Sequence, residues 1–135
     1  MITAVETTVI LDILTADSQF GERSKALLRE DLSKGKLISC EITLSEVAAF
    51  FESYADFRQS LLDLHIELSP MDQESCHLAG IFWKKYRASG GKRTRIISDF
   101  LIGAHALRFA DQLLTRDRGF YRTYFRNLKI QDPSY

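Results

Sequence analysis

Short aliphatic runs alternate with longer segments of helical periodicity along this chain. The runs are short enough for buried strands and are bounded by polar or turn-forming residues. They lie at residues 2–5, 37–40, 65–68, 112–115 and 128–131. Gly35, Pro70 and the pair at residues 90–91 fall where the neighbouring elements should end.

Between these runs, apolar residues recur three or four positions apart, which is the spacing of one helical face. Helices are predicted around residues 9–11 and at residues 20–34, 44–54 with a continuation at 56–64, 71–88, 98–109 and 120–125. The face of the third helix would carry Leu44, Val47, Ala48, Phe51 and Tyr54. Ser98 is expected to cap the helix at 98–109, which is apolar on most sides.

Strands that alternate with helices at these lengths imply right-handed βαβ crossovers. The chain should therefore be an α/β protein with a short parallel sheet of four to five strands and helices on both faces. No repeat, low-complexity tract or linker divides the sequence, so one domain is expected over residues 1–135.

The net charge and the cysteines indicate how the protein could bind a polyanion and in which compartment it is expected. Eighteen basic and eighteen acidic residues give a formal net charge of zero, so any polyanion must be held by a local basic patch. Cys40 and Cys76 have no second Cys or His at zinc-site spacing, which is typical of reduced cysteines in an intracellular protein. Because the N-terminal segment lacks the bases of a signal peptide and no apolar run reaches spanning length, we predict a cytoplasmic location away from membranes.

Four carboxylates stand where an apolar run gives way to a loop or a helix. They are Glu6, Glu46, Asp99 and Asp117. In an open parallel sheet, the carboxyl ends of strands and the N-termini of helices share one edge, where ligands bind. Four acids there would repel one another, and a hard cation such as Mg²⁺ or Mn²⁺ is the simplest group that would hold them together.

Each acid also has a purely structural interpretation. Glu46 completes Thr43-Leu-Ser-Glu46, which fits a capping box, and Asp99 lies in a first helical turn, where the helix dipole favours a negative charge by about 0.3–1 kcal/mol. Asp117 is near another helix start. Glu6 ends the first strand with no helix pattern of its own to cap, so its alternative is an exposed edge residue. The repetition of acids at one edge favours a shared site.

Four segments carry a family resemblance. They are Val5-Glu6-Thr7-Thr8-Val9-Ile10-Leu11-Asp12, Thr43-Leu-Ser-Glu46, Ser98-Asp99-Phe-Leu-Ile-Gly-Ala-His-Ala and Leu114-Thr115-Arg116-Asp117-Arg-Gly-Phe-Tyr. In this order and spacing they resemble the PIN-domain ribonucleases, and within them the VapC-type toxins of prokaryotic toxin–antitoxin pairs. The resemblance implies a doubly wound sheet, an acidic Mg²⁺ or Mn²⁺ site and cleavage of single-stranded RNA. It also implies an antitoxin partner and a homodimer.

Carried over by position, Glu46, Asp99 and Asp117 take the second, third and fourth acidic places of the family, and Thr115 matches its hydroxyl beside the last acid. At the first place the family has Asp followed by Thr or Ser and then Asn, whereas this chain has Glu6 followed by two threonines. Mg²⁺ demands near-ideal octahedral geometry, and about 1 Å of misplacement can cost on the order of 100-fold in rate. Glu6 in place of aspartate should therefore affect catalytic activity more than the fold. The alternative function is a PIN fold with weakened catalysis that binds RNA or protein.

Basic residues recur in the second half of the chain, either as solvated faces or as contacts for RNA. They are Lys84, Lys85, Arg87, Lys92, Arg93, Arg95, Arg116, Arg118, Arg122 and Arg126. Arg116 and Arg118 flank Asp117, where they could meet substrate phosphates, as could Thr115 beside them. The loop at residues 90–95 is a second candidate for contact with RNA or a partner protein.

The remaining candidates are weaker. No Ser–His or Cys–His pair suggests covalent catalysis, and His105 lies in an apolar helical face, as a core histidine would. Phe50, Tyr54 and Phe57 are either core residues or the surface of a homodimer. A receiver-like phospho-acceptor domain would need paired acids after the first strand and a lysine after the last, and the sequence has neither.

Overall fold

The computed structural model describes residues 1–92 and 96–134. Within these ranges five strands form one sheet in the order β3-β2-β1-β4-β5, and every neighbouring pair is parallel. The strands are β1 (Ile2–Val5), β2 (Lys36–Ser39), β3 (Ile66–Leu68), β4 (Gln112–Leu114) and β5 (Ile130–Gln131). All five predicted strands are confirmed, each with bounds within two residues of the prediction.

Helices connect the strands in the expected alternation. Those of the described residues are α1 (Thr7–Leu14), α2 (Gly21–Lys34), α3 (Glu41–Ala48), α4 (Tyr54–Leu64), α5 (Gln73–Ala88), α6 (Ser98–Phe109) and α7 (Arg118–Tyr124). The prediction of one helical face running from Leu44 to Tyr54 is wrong. Helix α3 ends at Ala48, and Ser53 begins α4 by accepting a hydrogen bond from the Asp56 backbone N–H at 3.1 Å.

Two predicted caps are also wrong. Ser98 is the first residue of α6, and Ile97 occupies the N-cap position without a side-chain hydrogen bond. The capping box ending at Glu46 does not form, because α3 already begins at Glu41 with Cys40 at its N-cap. Glu46 is therefore free of a capping role.

The central strands alternate their side chains between two cores. Ala4 and Leu113 pack with α5, α6 and α7 on one face of the sheet, whereas Val5 and Leu114 pack with the first four helices on the other. This arrangement follows from the two-residue period of a strand and confirms helices on both faces. His105 is buried in the first layer with its Nε2 3.0 Å from Ser69 Oγ, as predicted for a core histidine, and burial lowers its pKa.

Both cysteines are free thiols, Cys40 buried and Cys76 exposed. None of the helices in the described ranges is both long and apolar enough to cross a bilayer.

Gly103 lies where α6 packs against the buried ring of Phe125, just beyond α7. A Cβ at Gly103 would lie 2.5 Å from Phe125 Cζ, closer than two carbon atoms can approach without a shift. We expect Gly103→Ala to lower the free energy of unfolding by about 1–3 kcal/mol, measured by urea denaturation. Gly80→Ala is the matched control. It lies within α5, where an added Cβ meets nothing within 4 Å, and should stabilise by up to about 1 kcal/mol. Equal stabilities of the two variants would contradict this packing.

Candidate acidic active site

The four predicted acids lie on elements that leave the carboxyl edge of the sheet. Glu6 follows β1 directly, and Asp117 follows the neighbouring strand β4 and occupies the N-cap position of α7. Asp99 is the second residue of α6, and Glu46 lies in the second turn of α3, which follows β2.

Asp99 is the carboxylate that interacts electrostatically with the other three. Its pKa is raised first by burial and then by the negative charges of Asp117 and Glu46. Its own charge is in turn one of the causes that raise the pKa of Glu6. The hydroxyl of Tyr121, 3.4 Å from Oδ1, donates to Asp99, and within the described residues no basic side chain forms an ion pair with it. Asp99 is the centre of this group of acids.

Glu6 is buried, with 4% of its surface exposed, and it caps α1. Its Oε2 accepts hydrogen bonds from the Thr8 backbone N–H at 3.0 Å, from the Thr8 hydroxyl, and from Thr115 Oγ1 at 3.0 Å. Burial raises the pKa of Glu6, and these hydrogen bonds partly offset the rise. The expectation that Glu6 has no helix to cap is wrong, because α1 begins immediately after it. The exposed-edge alternative is also wrong, since the side chain turns inward.

Glu46 is exposed but held from two sides. Its Oε1 accepts a hydrogen bond from Thr7 Oγ1 at 2.7 Å, and its Oε2 accepts one from Ser98 Oγ at 3.3 Å. Ser98 adjoins Asp99, so the second bond ties α3 to the first turn of α6. This contact positions Glu46 next to the central acid.

Thr115 joins the first and last acids. Its hydroxyl donates to Glu6 Oε2 and accepts from the backbone N–H of Asp117 at 2.9 Å. The residue is completely buried, and through these two hydrogen bonds it positions two of the acids. Its predicted contact with substrate stays a prediction.

Arg116 forms a two-point ion pair with Asp12, a residue for which no role was predicted. Its Nε lies 2.6 Å from Asp12 Oδ2 and its Nη2 lies 3.0 Å from Oδ1, while Ser24 donates to the same carboxylate. The guanidinium also lies over the ring of Phe20, 4.2 Å from its centroid. Asp12 is buried, so this ion pair mainly stabilises the fold. The predicted contact with a phosphate would have to use the part of the guanidinium that does not bind Asp12.

Arg118 begins α7 and lies beside a groove of about 510 Å³ that Arg116 also lines. Its Nε is 3.7 Å from Asp132 Oδ2. Arg118 therefore stays a candidate for contact with an anion. In the loop at 90–95, residues 93–95 lie outside the described residues, and the prediction made for that loop stays a prediction.

Sequence reasoning missed the hydroxyl groups that hold the acids. Thr7, Thr8 and Ser98 lie within two residues of a predicted acid in the sequence, and that closeness was the available signal. Tyr121 gave no such signal, since an aromatic residue in a helix is ordinarily a core residue. It is fully buried, and burial raises its pKa well above the ordinary value, so it stays a neutral donor.

The chemistry of these donors fits a hard divalent cation. Carboxylate oxygens are the ligands that Mg²⁺ and Mn²⁺ prefer, and positive charge would relieve the repulsion of Asp99 by Asp117 and by Glu46. Among the described residues, no three His, Cys, Asp or Glu side chains are close enough to ligate one ion as they stand. Mg²⁺ commonly uses one or two carboxylates and retains several waters, so Asp99 and Asp117 alone would suffice to hold it.

Comparison with known proteins gives the family. The model of the PIN domain family matches residues 3–126, and the chain therefore belongs to the PIN domain family. The resemblance of its four sequence segments to that family is confirmed. None of the curated protein sequences compared with the chain matches it.

Solved structures share the fold over the whole chain. A chain of VapBC-1 from nontypeable Haemophilus influenzae is 19% identical, with a TM-score of 0.74 and 100% of both chains covered. A chain of VapBC2 from Rickettsia felis, bound to a promoter DNA fragment, is 16% identical with a TM-score of 0.70, and one of DNA-bound VapBC from Salmonella typhimurium is 17% identical with a TM-score of 0.67. Both comparisons cover 98% of each chain. At these identities the likeness concerns the fold.

Proposed function

We propose that the protein is a metal-dependent endoribonuclease that hydrolyses phosphodiesters of single-stranded RNA and acts as the toxin of a toxin–antitoxin pair. The observation that supports this most is Asp99, a partly buried carboxylate whose charge interacts with three further acids in a PIN domain. Because like charges repel, keeping these four acids near one another opposes folding. Such an unfavourable arrangement is typical of a functional site, here one that binds a cation.

Asp99 and Asp117 would hold one or two Mg²⁺ or Mn²⁺ ions, with Glu46 and Glu6 adding negative charge around them. The bound cation would supply Lewis-acid chemistry, by lowering the pKa of a water and neutralising charge on the phosphate. The chain itself supplies orientation. Tyr121 donates to Asp99, and Thr7 and Ser98 fix Glu46.

Cleavage of end-labelled single-stranded RNA tests the assignment. We expect products with Mg²⁺ or Mn²⁺, none with excess EDTA, and little cleavage of a duplex of the same sequence. Inactivity with either metal across RNAs of varied sequence would count against a nuclease.

A binding module with weakened catalysis is the second candidate, and Glu6 favours it. The Oε2 atom of Glu6 already accepts three hydrogen bonds, which commits that oxygen to the fold. Such a module would retain RNA or a protein partner without metal-dependent turnover.

An antitoxin and a second copy of the chain are the partners we propose. Phe50 and Tyr54 are 64% and 76% exposed, as a contact surface requires, whereas Phe57 is half-buried with its ring centroid 5.8 Å from that of Phe51. We expect a homodimer in sedimentation at micromolar concentration, and Tyr54→Lys should shift it towards monomer. Arg29→Lys on α2 is the control, and a monomeric wild type would contradict the dimer. A toxin acting on cellular RNA would work in the cytoplasm.

A further inference from the structure

A groove of about 690 Å³ lies beside the C-terminal ends of α5 and α7, away from the four acids. Its lining residues are Phe82, Lys85, Ser89, Thr123, Tyr124, Arg126 and Asn127. The volume is in the range of sites that take small molecules or single nucleotides. The sequence pattern marked Lys85 and Arg126 only as members of a basic set.

The charge of this groove has one sign. No carboxylate is present in its described lining, and within the described residues neither Lys85 nor Arg126 has an acidic partner at ion-pair distance. Lys85 lies over the ring of Phe82, with Nζ 5.6 Å from the centroid, a contact that orients the ammonium and leaves its charge unneutralised. In a chain of zero net charge, this is a local patch that attracts an anion.

Aromatic rings accompany these two cations. Tyr124 is half-buried and held by the rings of Tyr86, Phe100 and Phe120, with centroids 5.1–5.6 Å away. A ring fixed in this way can stack on a base at little cost in side-chain entropy. Cations combined with aromatic faces suit nucleotides better than an acidic peptide, which offers charge but no planar base.

The position of the groove relates it to the acids. Helix α7 begins next to Asp117 and ends at Tyr124, so Tyr124 in the groove lies seven positions after Asp117. At 1.5 Å per residue this is about 10 Å along the helix. An RNA strand with a phosphodiester at the acids would bring a neighbouring nucleotide to the groove.

We propose that this groove is a nucleotide-binding subsite for single-stranded RNA, in which Lys85 and Arg126 contact phosphates and Tyr124 stacks on a base. The proposal rests on the proposed nuclease function for its substrate. It adds a positioning surface outside the acidic site.

Binding of a fluorescein-labelled twelve-nucleotide oligoadenylate RNA in EDTA tests the subsite without cleavage. The double variant Lys85→Ala/Arg126→Ala should bind about 10-fold more weakly in 0.1 M salt. The slope of log affinity against log salt should become shallower by about 1.4, since each lost phosphate contact removes about 0.7. Arg29→Ala/Arg58→Ala, which removes two exposed arginines from α2 and α4, is the matched control and should leave both quantities unchanged.

The stacking part has its own variant. Tyr124→Leu should weaken the oligoadenylate about 5-fold or more, yet leave an abasic strand of equal length unaffected. If it alters folding as judged by circular dichroism, the double variant alone decides the proposal.

Equal affinities of the groove and control double variants would overturn the subsite, whether or not the wild type cleaves RNA. Displacement of the oligoadenylate from the wild type by poly-glutamate at equal charge would also overturn it, in favour of an acidic protein partner. If the groove variant loses RNA binding but the wild type cleaves no RNA under any condition, the subsite is supported and the nuclease assignment is contradicted.

Discussion

Asp99→Asn should strongly reduce RNA cleavage while making the metal-free protein more stable. Removing the charge at the centre of the acids should lower the metal-dependent rate on the order of 100-fold or more, since even loss of outer-shell partners of a metal typically costs 10–100-fold. The Asn side-chain oxygen can still accept from Tyr121, so the local hydrogen bond survives. The measurement is single-turnover cleavage of labelled RNA with saturating Mg²⁺.

The stability gain has a defined dependence on pH. Burial and the neighbouring acids raise the pKa of Asp99 above 3.8, its ordinary value. Below that value Asp99 is protonated in both the folded and the unfolded chain, and the substitution should change little. As pH rises through the raised pKa, the unfolded chain ionises first and the wild type loses stability that the variant keeps. Urea unfolding at pH 3.5 and pH 7 in EDTA measures the difference.

Mg²⁺ should reverse this order. Ligand that binds only the folded state stabilises it by mass action, by about 2.7 kcal/mol at a hundred times the Kd. The wild type should therefore gain thermal stability with Mg²⁺, and Asp99→Asn should not. Metal-induced stabilisation that is the same in both proteins would show that the shared site is wrong.

Asp72→Asn is the control with the opposite sign. Asp72 caps α5 and pairs with Arg108 at 2.9 Å, and this hydrogen-bonded pair holds its pKa well below the ordinary value. Asn preserves the cap but loses the charge. We expect lower stability at pH 7, a difference that narrows as pH falls below about 3.8, and unchanged cleavage.

Much of the fold followed from the periodicity of the sequence. Strand β1 was predicted with its observed bounds, because a short run rich in β-branched residues is typical of a strand. The break between α3 and α4 was missed. Phe51 and Tyr54 continue a helical spacing, but α3 ends at Ala48, and Ser53 begins a new helix by accepting a hydrogen bond from the Asp56 backbone N–H. The spacing of apolar residues does not show where a serine side chain will hydrogen-bond to the backbone and begin a new helix.

The sequence predicted the acids of the candidate site but not the residues that hold them in place. The acids can be recognised in a sequence because a charged residue beside an apolar strand is costly unless it has a role. The hydrogen bond from Thr115 to Glu6 and the ion pair of Arg116 with Asp12 each join residues more than a hundred positions apart in the sequence. A single sequence contains no signal of which polar residues will meet across that distance. The sequence therefore predicted contacts with substrate for Arg116 and Thr115 but not their partners within the protein, Asp12 and Glu6.

Glu6→Asp should raise metal-dependent RNA cleavage by about 10- to 100-fold, with a change in stability within about 1 kcal/mol. Aspartate is a preferred N-cap, so it can keep the bond from the Thr8 backbone N–H that α1 requires. The shorter side chain should withdraw from Thr115, which frees carboxylate oxygen now committed to the fold. Since about 1 Å of displacement can change a rate by on the order of 100-fold, geometry alone accounts for the gain.

Glu6→Gln separates charge from geometry. It keeps the length of the side chain but removes a negative charge, so Mg²⁺ should bind more weakly than to the wild type. Because burial raises the pKa of Glu6 above 4.5, the same change should stabilise the metal-free protein at pH 7 and have little effect below pH 4.5. Cleavage rates and Mg²⁺ titrations of the three proteins test both substitutions. A slower Glu6→Asp variant would mean that the site has adapted to the longer side chain, and the weakened-enzyme alternative would lose its main support. If neither the wild type nor the Glu6→Asp variant cleaves any single-stranded RNA, the binding module becomes the better account of this PIN domain.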